Sequence, residues 1–137
     1  MFLPERYTTL YQLAQNGRVE ELLVLLDSLQ RDEGDSDAKN WAVVAAAEEN
    51  QLATVSALLD AGANPNGSES QRQHIRPLWK SAKRGHLGMV KLLISRGADV
   101  QGTDGQGMGA LEYAIRYRKS DVVSYLAHLA KPHPNGS

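Results

Sequence analysis

The sequence predicts an all-α protein built from about four helix–turn–helix repeats stacked in a row. Four amphipathic segments recur along the chain, and each is interrupted near its middle, at Gly17, Asn50, Gly85 and Arg118. These interruptions are 33, 35 and 33 residues apart. One pair of helices cannot bury its own apolar face, so a period of this length predicts a solenoid in which each pair packs against its neighbours.

The third copy, residues 76–100, shows the pattern most clearly. It reads R-P-L-W-K-S-A-K-R-G-H-L-G-M-V-K-L-L-I-S-R-G-A-D-V. Pro77 suits the first turn of a helix, Gly85 can end that helix in a left-handed conformation, and a second amphipathic run continues to Gly97. The stretch resembles an ankyrin repeat, whose pattern is T-P-L-H-x-A-A-x-x-G-H-x-E-V-V-x-L-L-L-x-x-G-A-D-V-N. The resemblance extends over roughly residues 7–130, with degenerate terminal copies.

The domain boundaries follow from this register. Residues 1–6 are a lead-in, residues 7–131 are the repeat domain and residues 132–137 are a flexible tail. The repeats span about 7–36, 37–70, 71–103 and 104–131. Helices are expected near 8–16, 18–29, 41–49, 51–60, 77–84, 87–96, 109–117 and 119–130, with finger loops between repeats and no regular sheet. Two extra residues near Glu69 and Ser70 account for the longer second step.

Three residues carry specific expectations about stability. Leu92 is expected to pack between repeats, so that truncation to alanine costs about 2–5 kcal/mol. Ser68 is expected to be exposed in a loop, so that its truncation stays within about 0.5 kcal/mol. Arg118 stands at a helix break where glycine is usual, and its left-handed conformation costs roughly 1 kcal/mol.

Composition excludes several classes of function. The 137 residues carry a net charge of −1, which gives no global electrostatic case for binding nucleic acid or an anionic membrane. The absence of cysteine excludes disulfides and thiolate chemistry. No apolar run approaches the ~20 residues that span a bilayer. The N-terminal segment lacks the features of a signal peptide, so a cytoplasmic protein is expected.

The motifs that could carry chemistry do not fit their templates. The glycines at 102, 105, 107 and 109 lack the spacing of a dinucleotide-binding loop, and the acidic run 32–37 lacks the glycine and glutamate of a calcium loop. Residues 36–39 match S-x-x-K without its companion motifs, and the four histidines are not paired at metal-ligand spacing. We therefore expect no catalytic, cofactor-binding or metal site.

The family resemblance implies a protein-binding function instead. In this family the inner helices and finger tips form a concave face that contacts another protein. The positions that match the family's contact positions, together with the two tryptophans as possible contacts, are Asp37, Asn40, Trp41, Glu48, Glu49, Arg72, Gln73, Ile75, Trp79, Lys83, Arg84, Gln106, Met108, Arg116 and Tyr117. The alternative within the same resemblance is a small inhibitor or antitoxin-like (immunity) protein that blocks a specific enzyme with this face. A monomer is expected in isolation.

Two questions about this surface stay open from the sequence. Trp41 and Trp79 either hold adjacent repeats together or contact a partner. The surface is acidic in the second repeat and basic in the third and fourth. This predicts a partner that is basic opposite Glu48 and Glu49 and acidic opposite Lys83, Arg84 and Arg116. The alternative is a mixed solvated surface whose charges have no meaning for a partner.

Overall fold

The computed structural model describes residues 6–33, 37–68 and 76–130, and these form eight α-helices and no strand. The helices are α1 (Arg6–Gln15), α2 (Val19–Glu33), α3 (Ala38–Glu48), α4 (Leu52–Asp60), α5 (Pro77–Arg84), α6 (Leu87–Ser95), α7 (Ala110–Arg116) and α8 (Ser120–Ala130). Every predicted helix is present, and the largest difference is at the end of α2, which runs four residues further than expected. The all-α prediction is confirmed.

The four predicted helix breaks share one backbone geometry. The φ angles of Gly17, Asn50, Gly85 and Arg118 are 71°, 59°, 76° and 58°. At each break the next residue donates its N–H to the carbonyl five residues earlier, over 2.8–2.9 Å. This bond satisfies a carbonyl at the end of the first helix, and it turns the chain into the second helix of the pair. The period in the sequence is therefore the period of this turn.

The helix pairs stack in two rows. The first helices of the pairs pack in the order α1, α3, α5, α7, and the second helices pack in the order α2, α4, α6, α8. We call these the inner row and the outer row. Alanines fill much of the inner row, with Ala14, Ala47 and Ala82 fully buried at equivalent positions of successive pairs. Small side chains let the inner helices approach closely, and larger side chains of the outer row, such as Val55 and Leu58, complete the core.

The expectation for Ser68 is wrong, and the expectation for Leu92 is met only in part. Leu92 is half-buried and packs against the core from its edge, whereas its neighbour Leu93 is 0% exposed. A helix turns by about 100° per residue, so of two adjacent leucines one faces the core more directly than the other. Ser68 is buried rather than exposed, and its hydroxyl donates a 2.6 Å hydrogen bond to Asp37 Oδ2. The loop after α4 folds back to the start of α3, and this buries Ser68 although the sequence around it has no apolar pattern.

Some expectations lie outside this description. Most of the lead-in, the two extra residues near position 69 and the tail 132–137 are beyond the described residues, and the division into four repeats at the stated boundaries stays a prediction. Across the described ranges, no helix is both long enough and apolar enough to cross a membrane.

Candidate functional site

The C-terminal ends of the inner helices lie side by side, because each occupies the same position in its repeat. Arg84 Nη2 at the end of α5 lies 3.1 Å from Glu48 Oε1 at the end of α3. Lys83 Nζ lies 5.0 Å from the centre of the Tyr117 ring, just after α7. The stack thus brings together residues that the sequence predicted as one surface, although 34 to 36 positions separate them along the chain.

The charges at the α3 and α5 ends of this surface neutralise one another. Glu48 accepts a hydrogen bond from Arg84, and its other carboxylate oxygen lies 3.7 Å from Lys80 Nζ. Glu49 lies 3.5 Å from the second terminal nitrogen of Arg84. The predicted acidic region of the second repeat is therefore paired within the molecule and does not require a basic partner. Sequence reasoning missed Lys80, whose signal is a basic residue 32 positions after an acidic one, close to the repeat period.

The α7 end of the surface is different, because its cations have no carboxylate partner. Lys83 stacks on the exposed ring of Tyr117, and Arg116 Nη1 lies 3.5 Å from Met108 Sδ. Among the described residues, neither cation makes an ion pair. The Tyr117 side of the inner row therefore keeps exposed positive charge beside an exposed aromatic ring.

The third finger, residues 100–108 between α6 and α7, is held in its conformation by the side chain of one aspartate. Asp104 Oδ1 accepts hydrogen bonds from the backbone N–H groups of Gln106 (2.8 Å) and Met108 (2.9 Å), and Oδ2 accepts one from the Tyr113 hydroxyl at 2.6 Å. The bond from the Tyr113 hydroxyl is the main reason that the pKa of Asp104 is lowered and that the pKa of Tyr113 is raised to about 12. Gln106 is exposed at the tip of the finger.

Both tryptophans are buried, and this answers the question that the sequence left open. Trp41 is 2% exposed, and its ring centroid lies 6.4 Å from that of Tyr11 in the preceding pair. Trp79 is 6% exposed and lies 6.2 Å from the Tyr113 ring in the following pair. Each ring therefore joins two neighbouring repeats. Neither presents the surface that contact with a partner would need, so the geometry favours the structural alternative for both.

Trp79 also contacts a cation. The guanidinium of Arg76 lies 5.3 Å from the centre of its ring, and the same guanidinium lies 3.4 Å from Asp99 Oδ2. The indole Nε1 of Trp79 is buried and makes no hydrogen bond within the described part of the chain. The energetic role of this residue thus lies in its packing and in its contact with the cation.

Asp37 and Asn40 are used inside the molecule. Asn40 donates from Nδ2 to Asp37 Oδ1 over 3.2 Å, and its Oδ1 accepts the backbone N–H of Asn64 over 2.7 Å. With the bond from Ser68 to Asp37, these contacts tie the second finger to the start of α3. Both residues were predicted to contact a partner, but the polar atoms that would do so are engaged here. Arg72, Gln73 and Ile75 lie outside the described residues, so their predicted contacts stay predictions.

The described part of the chain contains no group of three or more histidine, aspartate or glutamate side chains placed to hold a metal ion. Tyr11, which packs on Trp41, has a perturbed ionisation: burial, and secondarily the charge of Glu48, raises its pKa to about 12. This shift follows from the packing of α1 against α3 and marks no reactive group.

Two comparisons with known proteins both match this chain to ankyrin-repeat sequences. A family model described as "Ankyrin repeats (3 copies)" matches residues 43–135. The match begins within α3, so the first helix pair lies outside it. The Ankyrin repeat and SAM domain-containing protein 6 of Danio rerio is 35% identical over 97 residues, which are 68% of this chain. The chain spans only 12% of the length of that relative.

Proposed function

This chain belongs to the ankyrin-repeat family, and from that premise we propose that it is a non-enzymatic module that binds another protein through its inner row and finger loops. Members of this family generally act as interaction domains. The observation that supports the proposal best is the group formed by the half-buried Lys83, which stacks on the Tyr117 ring, and the exposed side chains of Tyr117 and its neighbour Arg116. Exposed tyrosine and arginine side chains are favoured anchors in protein interfaces.

The stack also offers a physical advantage for binding. The inner helices are held by buried alanines, by the joining rings of Trp41 and Trp79, and by the Glu48–Arg84 ion pair. A surface built on such rigid elements loses little conformational entropy when a partner docks. The same surface could block an enzyme, as in the inhibitor or antitoxin-like alternative. No observation in the structure favours that alternative, so the general binding module is the function proposed.

The remaining features of the proposal come from the sequence. We propose a protein partner rather than nucleic acid or a membrane, a monomer in isolation, and the cytoplasm as the compartment. The overall charge of −1 agrees with a protein partner. Sedimentation of the purified chain and imaging of a fluorescent fusion would test the last two predictions directly.

Site-directed photo-crosslinking tests the binding module and its location together. A photoreactive phenylalanine analogue replaces Tyr117 or Gln106 on the proposed surface, or Ser124 on the outer row, where the side chain is also exposed. We expect the same partner band from positions 106 and 117 in the native lysate, and no such band from position 124. A band that appears from Ser124 alone would place the binding surface on the outer row and contradict the proposal.

A further inference from the structure

Four cations at one end of the inner row make no ion pair within the described residues. Lys83, Arg116, Arg118 and Lys119 make no ion pair with any carboxylate in the described ranges, whereas Lys80 and Arg84 are both paired with Glu48. The aliphatic stem of Lys119 crosses the helix break of the third pair, since a Cβ on Gly85 would lie 2.8 Å from Lys119 Cδ. We call these four residues, with Tyr117 and Ile115, the basic end.

Apolar surface accompanies this charge. Tyr117 is 43% exposed and Ile115 is 56% exposed. Ile115 follows the register of Ala14, Ala47 and Ala82, which are completely buried because another inner helix packs on each of them. The isoleucine at this position in α7 is larger than the alanines, is exposed and precedes Arg116. Cations and apolar side chains thus alternate along the end of α7.

The position of the Lys83 ammonium is partly determined before any partner arrives. Its stacking on the Tyr117 ring holds the charge near the surface at 5.0 Å from the ring centre. A carboxylate could approach this ammonium from the solvent side while an apolar side chain contacts the rest of the ring. Because a cation–π contact restrains the lysine, less side-chain entropy is lost on binding than for a free lysine.

From these features we infer that the basic end is the docking site for an acidic protein segment that also carries an apolar or aromatic side chain. This inference rests on the proposed function and names the chemistry of the partner. Carboxylates of the segment pair with Lys83 and Arg116, and its apolar side chain packs on Tyr117. Charge complementarity favours an acidic partner, and the exposed ring beside the charge favours a protein segment, which can supply a carboxylate and an apolar side chain together.

The outer row contains a second lysine–tyrosine pair, which serves as a control for the pair at the basic end. Lys91 Nζ lies 5.3 Å from the ring of Tyr125, which repeats the lysine–tyrosine arrangement of the basic end on the other side of the molecule. Substitutions at these two residues therefore change the same chemistry at a site that is not proposed to bind. Tyr117 and Lys91 are exposed, whereas Lys83 and Tyr125 are half-buried and Tyr125 packs against the core. Circular dichroism therefore establishes that each variant is folded before its binding is compared.

The experiment selects short random peptides on the full chain by phage display and measures their affinity and dissociation by fluorescence and surface plasmon resonance. We expect the selected peptides to be enriched in Asp and Glu with at least one apolar or aromatic residue. Lys83→Glu with Arg116→Glu should weaken their binding by about tenfold or more at low salt and by less at high salt. Tyr117→Ala should mainly speed dissociation. Lys91→Glu and Tyr125→Ala should leave binding unchanged.

Other outcomes overturn the inference in different ways. Enrichment of basic or purely apolar peptides, or equal losses from the Lys83 and Lys91 substitutions, would exclude an acidic segment at the basic end while leaving the proposed binding module intact. Tighter binding of a single-stranded oligonucleotide, lost in the Lys83 and Arg116 variant, would assign the surface to nucleic acid. No enriched peptide, together with no crosslinked partner from position 117, would count against both the inference and the module.

Discussion

Truncation of Leu93 tests the assignment of the core most directly, because its neighbour Leu92 supplies a matched control in the same helix. Leu93 is 0% exposed and Leu92 is half-buried. Leucine to alanine removes three carbon atoms, which at ~0.8 kcal/mol per buried carbon amounts to about 2.4 kcal/mol of transfer free energy. The cavity that remains in a closed core raises the expected loss to about 3–4 kcal/mol for Leu93→Ala.

The same change at Leu92 should cost much less. Roughly half of its transfer free energy is lost and no closed cavity forms, so we expect about 1 kcal/mol. Urea unfolding followed by circular dichroism measures both variants, and the comparison holds while the dependence of the unfolding free energy on urea stays the same. A loss for Leu92→Ala equal to or greater than that for Leu93→Ala would show that α6 is rotated from the orientation described here.

Three further predictions concern single contacts. Ser68→Ala removes the hydrogen bond to Asp37, so its thermal unfolding should show a loss of about 1–2 kcal/mol; a loss within about 0.5 kcal/mol would restore the original expectation of an exposed residue. Tyr113 has a pKa of about 12 instead of 10.0, so its stabilising contribution is complete below pH 10 and is lost as the pH rises toward 12. Titration of phenolate absorbance should therefore lose a late-ionising group in Tyr113→Phe, and unchanged titration would contradict the bond to Asp104. Arg118→Asn should stabilise the chain by about 0.5 kcal/mol, since asparagine tolerates a φ of 58° better than arginine does, and a lower urea midpoint would refute this.

Stacking of the repeats pairs charged residues that lie far apart in the sequence. Read along the chain, Glu48 and Glu49 form an acidic cluster and Lys80, Lys83 and Arg84 form a basic one. In the stack the two clusters face each other across one repeat spacing, and Arg84 bridges both glutamates. Exposed ion pairs of this kind contribute only about 0–1 kcal/mol each to stability. Their larger consequence is that Glu48 and Glu49 pair with Arg84, whereas Lys83 and Arg116 make no ion pair within the described residues.

The sequence by itself determined the architecture of this protein. A break every 33 to 35 residues, with an apolar stripe on either side, leaves stacked helix pairs as the one arrangement that buries all the stripes, and this is the observed order of the eight helices. The position of each helix break could also be predicted, because the left-handed conformation is local and recurs at the same place in each helix pair.

The tertiary structure alone decided which side chains are available at the surface. Contacts between residues 30 to 36 positions apart in the chain determine whether Trp41 and Trp79 pack between repeats, whether Ser68 is buried and whether Glu48 is neutralised. The repeat register places such residues in neighbouring helix pairs. Whether they touch depends on the size of each side chain and on the charge of the residue opposite it. Burial and charge pairing are therefore properties of two adjacent repeats, and the sequence of one repeat does not predict them.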